Sequence, residues 1–143
     1  MMNDERITYH LQLLNNNLLE LRKLGEIELD EFLSDDIKRY AAERLFQTAI
    51  ESCINIGNRI ISIEQTRQPV KPPETYSDIA KLLFKLDVID NNFEEKFINM
   101  IKFRNRLVHI YWEIDEKVLH DYLTNNLNDF KDFIKFVSKY IND

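Results

Sequence analysis

The chain contains only two Gly and three Pro among its 143 residues. Average proteins contain about 7% Gly and 5% Pro, and tight turns between strands depend on these residues. A protein built from many β-hairpins would therefore lack its turn residues. The hydrophobic fraction of 44% is large enough to form a core without disulfides, and a single cysteine, Cys53, cannot form one within the chain. These features predict an all-α fold with residues 1–143 in a single helical domain.

Apolar residues recur at intervals of three and four along most of the chain, which is the spacing of amphipathic helices. The predicted helical segments, with their capping residues, are Asp4 to Gly25, residues 29–33, Asp36 to Glu64, Thr75 to Leu86, residues 90–92 to Tyr111, and Asp115 to Ile141. Gly57 interrupts the apolar stripe of the long central helix at a cost of about 1 kcal/mol in helix propensity, which predicts a close helix crossing. Long helices with short connections favour an up-and-down bundle of four to five long helices.

The charge distribution is uneven. The formal net charge is −6, yet residues 96–112 contain four bases and no acid, so the other residues carry −10. A net negative charge argues against a protein that binds nucleic acid non-specifically over its whole surface, and the positive charge is concentrated in one segment. The longest stretch without a charge, residues 7–19, is shorter than the roughly 20 apolar residues of a membrane span. Since the chain also begins without the pattern of an export signal, we expect a cytoplasmic protein with no membrane contact.

Arg104 interrupts the apolar stripe of the predicted helix that ends near Tyr111. A guanidinium on a core-facing stripe must be paired or line a cleft, because it stays charged. The simplest interpretation is a buried arginine paired with a carboxylate from another helix. Five residues later lies His109, whose imidazole can exchange protons near neutral pH. A second stripe of this helix, which could be only a solvated face, carries four polar residues: Lys102, Asn105, Arg106 and His109.

Residues 103–112 read Phe-Arg-Asn-Arg-Leu-Val-His-Ile-Tyr-Trp. This string resembles the Arg-x4-His-x-Tyr signature of HEPN domains, in the form typical of HepT-like ribonuclease toxins. The resemblance extends over nearly the whole chain, from the long first helix through the acidic connector, the long central helix and the Pro-rich loop to the final helix. It implies a HEPN-type bundle that acts as a metal-independent endoribonuclease, formed by a homodimer whose two motifs face each other across the interface.

The resemblance also implies roles for the residues of the motif. His109 is a general base or acid, Arg104 stabilises phosphate charge, and Asn105 positions the histidine or a phosphate oxygen, while Lys102 and Arg106 contact RNA. RNA supplies the nucleophile, its 2'-hydroxyl, so cleavage gives a 2',3'-cyclic phosphate and a 5'-hydroxyl. Because one chain offers one plausible histidine, a two-fold dimer would supply the second. No metal or cofactor is expected, since the cysteine and histidines lack ligand spacing.

The spacing within the motif raises a geometric question. On an ideal helix, positions 104 and 109 lie about 140° apart around the axis. The side chains of Arg104 and His109 would then not point at one phosphate. Either the helix loosens near His109, or Arg104 serves the site across the dimer.

Tyr111 matches the residue that, in HepT-like toxins, the MntA-like minimal nucleotidyltransferase antitoxin modifies with AMP. The resemblance thus implies the toxin of a two-component toxin-antitoxin system, with tRNA or mRNA as the RNA substrate. An alternative is a non-catalytic HEPN subunit that docks on a nucleotidyltransferase and assists nucleotide binding. A plain helical scaffold would explain the bundle but not the basic segment.

Overall fold

The computed structural model describes residues 2–109 and 114–143, and the regular elements in these ranges are all helices. They are α1 (Glu5–Gly25), α2 (Leu29–Leu33), α3 (Asp36–Gln65), α4 (Tyr76–Lys85), α5 (Asn91–Val108), α6 (Glu116–Asn125) and α7 (Asn128–Asn142). The predicted all-α class is confirmed. Among these helices, none is both long and apolar enough to cross a membrane.

Helices α1, α4 and α5 begin at capping residues that the sequence indicates. The Asp4 carboxylate accepts a hydrogen bond from the Ile7 backbone N–H at 3.0 Å, and Asp90 accepts one from the Phe93 N–H at 2.8 Å. Thr75 forms a reciprocal capping box with the residue three positions later. Each cap pairs backbone donors that a helix start leaves open, so local chemistry sets these boundaries.

Contacts between helices define an up-and-down bundle, as predicted. Helix α1 runs antiparallel to α3, because Asp4 at its start binds Arg59 near the end of α3 and Asn17 bonds to Thr48 further back. Helices α6 and α7 return along α5, since aromatic pairs join the start of α5 to α7 and its end to α6. Helix α4 packs on both α3 and α5. This arrangement leaves the end of α5 between α3, α4 and α6.

The prediction of one continuous final helix is wrong, because α6 ends at Asn125 and α7 begins at Asn128. Asn126 leaves the helical region with φ −114° and ψ 2°. Asparagine side chains compete with helical hydrogen bonds, and three of the four residues from 125 to 128 are asparagine. The apolar period continues across the break because both helices bury their apolar faces in the same core.

Gly57 lies where α4 crosses α3. A Cβ at this position would lie 2.7 Å from Ile79 Cγ2 and 3.1 Å from Leu83 Cδ1. The first distance is shorter than a van der Waals contact, and Ile79 is β-branched and cannot move aside easily. The predicted close crossing at Gly57 is confirmed, and it seats α4 against the central helix.

We expect the substitution Gly57→Val to lower the free energy of unfolding by about 1–3 kcal/mol, since the new methyl groups overpack the crossing. Asn55→Val is the matched control, because it places the same side chain on an exposed position of the same helix. Urea denaturation measures both variants. Equal stabilities would contradict the close contact.

A second prediction concerns Asp4, whose side chain is 12% exposed and binds Arg59. The hydrogen bond from Arg59 holds the pKa of Asp4 below its ordinary value. The carboxylate therefore stabilises the fold above the unfolded pKa of about 3.9, and this contribution is lost as the pH falls through the lower folded pKa.

Asp4→Asn retains a capping side chain but removes the charge. We expect it to be less stable by about 1 kcal/mol at pH 7, with the difference narrowing in unfolding experiments toward about pH 3. A pH-independent difference would contradict the role of the charge.

Candidate functional site

Arg104 lies one turn before the end of α5 and points toward α3 and α4. Its Nε and Nη2 atoms donate to the same carboxylate oxygen of Glu51, at 3.0 and 2.7 Å. Its Nη1 donates to the side-chain oxygen of Asn105 at 3.1 Å. The guanidinium carbon lies 5.2 Å from the centre of the Tyr76 ring. The prediction that Arg104 pairs with a carboxylate of another helix is confirmed.

The surroundings of Arg104 restrain it without covering it. The side chain is 17% exposed and that of Glu51 is 30% exposed. In the described part of the chain, the hydrogen bonds of Arg104 use three of the five guanidinium N–H groups, and a phosphate oxygen could accept from the others. The Tyr76 ring adds a cation–π contact, which favours the charged plane in this position. The site thus offers an oriented cation at the edge of the core.

His109 lies just beyond α5, which ends at Val108. Its backbone is extended, with φ −86° and ψ 116°, and its N–H donates to the Asn105 carbonyl at 3.2 Å. The prediction that the helix continues to about Tyr111 is therefore wrong at His109. The β-branched residues on either side in the sequence, Val108 and Ile110, favour this end because they are weak helix formers.

The end of the helix bears on the first of the two alternatives for the motif geometry, a helix that loosens near His109. Because His109 has left the helix, the angle of about 140° between positions 104 and 109 on an ideal helix no longer fixes its direction. The side chain of His109 is exposed. Asn105 contacts both residues, since its side chain accepts from Arg104 and its backbone carbonyl accepts from His109. It joins the two predicted catalytic residues in one local unit.

Lys102 and Arg106 lie on a different face of α5. Each is two residues from Arg104, which places it about 160° away around the helix axis. Both are exposed and line a groove between α5 and the α6–α7 pair. The structure therefore does not bring these predicted RNA-binding residues together with Arg104.

Other predicted features bear on the site only indirectly. Tyr111 lies outside the described residues, so its modification stays a prediction. The other two histidines have places in the bundle: His120 donates to the Ile27 carbonyl at 2.8 Å, and burial lowers the pKa of His10. Burial raises the pKa of the Cys53 thiol. Over residues 2–109 and 114–143, no group of three or more His, Cys, Asp or Glu residues could hold a metal ion.

Two residues of the site were not identified from the sequence, Glu51 and Tyr76. The place of Arg104 on an apolar stripe predicts a carboxylate partner but does not identify it. Glu51 follows the buried Ile50 at the border of the wide apolar stripe of α3, and an acid at such a border was the available signal. Tyr76 is the first residue of α4, and no feature of the sequence connects it with α5.

Comparison with known proteins assigns the family. The model of the ribonuclease HepT-like family matches residues 14–137. The chain is 25% identical over 137 residues to a tRNA nuclease HepT of Aphanizomenon flos-aquae, which covers 94% of this chain and 89% of that protein. It is 28% identical over 91 residues to an mRNA nuclease HepT of Shewanella oneidensis, which covers 64% and 65% of the two chains.

Solved structures show the same fold. A tri-AMPylated HEPN toxin of Shewanella oneidensis in complex with MNT antitoxin has a TM-score of 0.86 at 20% identity, over 96% of this chain and 99% of that chain. YutE of Bacillus subtilis, a cytosolic protein of unknown function, has a TM-score of 0.81 at 21% identity, over 99% and 94% of the two chains. The fold is therefore that of HEPN toxins. The chain belongs to the ribonuclease HepT-like family, which confirms the resemblance seen in the motif and the ribonuclease class that it implied.

We predict that Glu51 and Arg104 stabilise the fold as a pair. Glu51→Gln keeps the shape of the acceptor but removes its charge, and we expect it to cost about 1–3 kcal/mol of unfolding free energy. Arg104→Gln alone should also destabilise, and the double variant should lose less than the sum, with a coupling of about 1 kcal/mol. Glu20→Gln is the control, since Glu20 forms an exposed ion pair with Lys23. Additive effects in urea denaturation would contradict the pairing.

Proposed function

We propose that this protein is the toxin of a HEPN/nucleotidyltransferase toxin-antitoxin pair, and that it cleaves RNA without a metal at a homodimeric site containing Arg104 and His109. The observation that carries this proposal is the end of α5. Arg104 is held there by Glu51 and Asn105, and the helix ends so that His109 lies exposed on extended backbone. An oriented cation and an exposed imidazole, joined through one asparagine, are the groups that RNA transesterification requires.

The proposed reaction uses the 2'-hydroxyl of RNA as the nucleophile. His109 accepts the 2'-hydroxyl proton as the oxygen attacks the adjacent phosphorus, and Arg104 stabilises the charge of the phosphorane through its N–H groups. The bond from phosphorus to the 5'-oxygen then breaks, and the second copy of His109 in the dimer protonates that oxygen. The products are a 2',3'-cyclic phosphate and a 5'-hydroxyl.

Asn105 acts in this proposal as a positioning residue. Its side-chain oxygen orients the guanidinium of Arg104, and its carbonyl holds the backbone of His109. Glu51 supports the same geometry from α3, because its carboxylate fixes the guanidinium plane through two hydrogen bonds. The planar guanidinium can donate to two phosphate oxygens at once, which a lysine ammonium cannot reproduce. Arg104→Lys should therefore lose activity although it keeps the charge.

The proposed partners are a second copy of this chain, an RNA substrate and an MntA-like nucleotidyltransferase antitoxin. The solved neighbours support the last of these, because they include a HEPN toxin bound to MNT antitoxin. The two curated relatives are a tRNA nuclease and an mRNA nuclease, so either RNA class is a candidate substrate. The proposed site of action is the cytoplasm.

A non-catalytic HEPN subunit is the second candidate function. The ion pair between Arg104 and Glu51 favours it, since a purely structural arginine would show the same pairing. Such a subunit would dock on a nucleotidyltransferase and assist nucleotide binding without cleaving RNA. Toxicity on expression of this chain alone distinguishes the two functions, because only a nuclease would arrest growth in the absence of its antitoxin.

We expect His109→Ala to lower the rate of RNA cleavage by about 10²-fold or more, because it removes a general acid-base group. Since its side chain is exposed, folding should be unchanged by circular dichroism. Cleavage of a mixed RNA sample is followed on gels, with His10→Gln as the control histidine on α1.

Two further measurements accompany this test. Activity should persist in EDTA, and light scattering should show a dimer at micromolar concentration. Wild-type activity in His109→Ala, loss of activity in EDTA, or a fully active monomer would each contradict the proposed mechanism.

We further expect regulation through Tyr111. An AMP group on its hydroxyl would add charge and bulk beside a basic segment and repel RNA. When the chain is co-expressed with its nucleotidyltransferase, intact mass should rise by one or more AMP groups. Tyr111→Phe lacks the acceptor oxygen and should stay unmodified and resist neutralisation. A modified Phe variant, or an unmodified wild type that is fully neutralised, would instead indicate occlusion by the bound antitoxin.

A further inference from the structure

A polar groove separates α5 from the α6–α7 pair, on the side of α5 that faces away from Arg104. Its volume is about 450 Å³, within the range of sites that hold small ligands. Six of its lining side chains are basic or carry an amide, namely Lys96, Lys102, Arg106, Asn99, Asn125 and Asn126. We propose that this groove is a second RNA-binding site, which holds single-stranded RNA next to the segment that is cleaved. This inference rests on the proposed ribonuclease function.

The three cations of the groove belong to α5 and line the groove at different heights. Lys102 and Arg106 are four residues apart and share a face, whereas Lys96 lies about 120° from Lys102 around the axis, and the three span about 15 Å along it. An extended RNA strand presents more than one phosphate over that length. Lys102 and Arg106 are exposed and Lys96 is half-buried, so all three can reach a bound strand. Cations distributed along a groove in this way suit a sugar-phosphate backbone.

The amides lie on both walls of the groove. Asn99 belongs to α5, whereas Asn125 and Asn126 lie at the break between α6 and α7. An asparagine side chain has both donors and an acceptor, and the edges of unpaired bases present both as well. Tyr122 stacks on Phe103 with ring centres 4.0 Å apart and forms an aromatic floor. The groove therefore combines contacts for phosphates with contacts for bases.

The charge of the groove contrasts with that of the whole chain. It carries three cations and one acid, Asp129, while the protein has a net charge of −6. Burial raises the pKa of Asp129, and the nearby Lys96 opposes that change. An acidic protein segment would also be attracted here, and its peptide groups could bond the amides as well. We favour RNA because the chain belongs to a ribonuclease family.

The position of the groove connects it with the site at Arg104. The two lie on opposite faces of α5, and both faces meet at the end of the helix, where His109 is exposed. A strand that passes around this end can contact both. The groove would then raise the affinity for RNA longer than the cleaved dinucleotide.

The test measures RNA binding in the His109→Ala background, which keeps the RNA intact. Fluorescence anisotropy follows a labelled single-stranded RNA of mixed sequence at increasing KCl. Lys96→Gln with Arg106→Gln should weaken binding at least fivefold and reduce the salt slope by about 1.4, since each phosphate contact in single strands contributes about 0.7. Asn125→Ala with Asn126→Ala should weaken binding with the slope unchanged. Lys23→Gln with Lys71→Gln removes the same charge from exposed positions elsewhere. This control should change neither the affinity for RNA nor the salt slope.

The outcomes separate this inference from the proposed function. If the wild type cleaves RNA and the groove variants bind RNA as the control variant does, the groove is not an RNA site and the nuclease assignment stands. The same conclusion follows if the groove variants lose binding to the antitoxin and keep binding to RNA. If the wild type neither cleaves RNA nor arrests growth, the proposed function itself fails.

Discussion

A guanidinium cannot become neutral in a protein, so an arginine beside the core needs an acceptor that is held in place. Glu51 is that acceptor, and it belongs to α3, the helix around which the bundle is built. The pairing fixes the end of α5 relative to the central helix. Asn105 extends the arrangement along α5, because it binds the guanidinium and also the backbone of His109. The geometry of the site therefore depends on one ion pair between two helices.

That ion pair serves stability and chemistry with the same contacts. Breaking it would leave a partly buried charge without its partner, which is costly, whereas its net contribution in the intact protein is smaller. The carboxylate also lowers the positive potential that a phosphate would meet, so the pairing orients Arg104 at the expense of attraction. If the groove on the other face of α5 binds RNA as proposed, it would compensate for this, since its three cations do not pair with an acid of α3.

The starts of α1, α4 and α5 could be predicted from the sequence, because each depends on a capping side chain within three residues of the boundary, namely Asp4, Thr75 and Asp90. The start of α7 has no such side chain and could not. The ends of α5 at Val108 and of α6 at Asn125 could not be predicted from the sequence. The apolar period continues past both residues, and only weak local preferences oppose it. The motif indicates Arg104 and His109 by residue type. It does not identify Glu51, whose pairing with Arg104 depends on how α3 and α5 turn about their own axes.

Lys102 and Arg106 also combine a feature set by local sequence with one set by helix packing. Their spacing alone places them on another face of α5, but the wall opposite them includes the break between α6 and α7, which the apolar period does not predict. Asn126 therefore has two roles, because it ends α6 and its side chain lines the groove. Because acids outnumber bases in the rest of the chain, RNA would be repelled from most of the surface and attracted to α5. In the proposed homodimer, two copies of this helix end would lie together, and their cations would add to the attraction of RNA toward the proposed site.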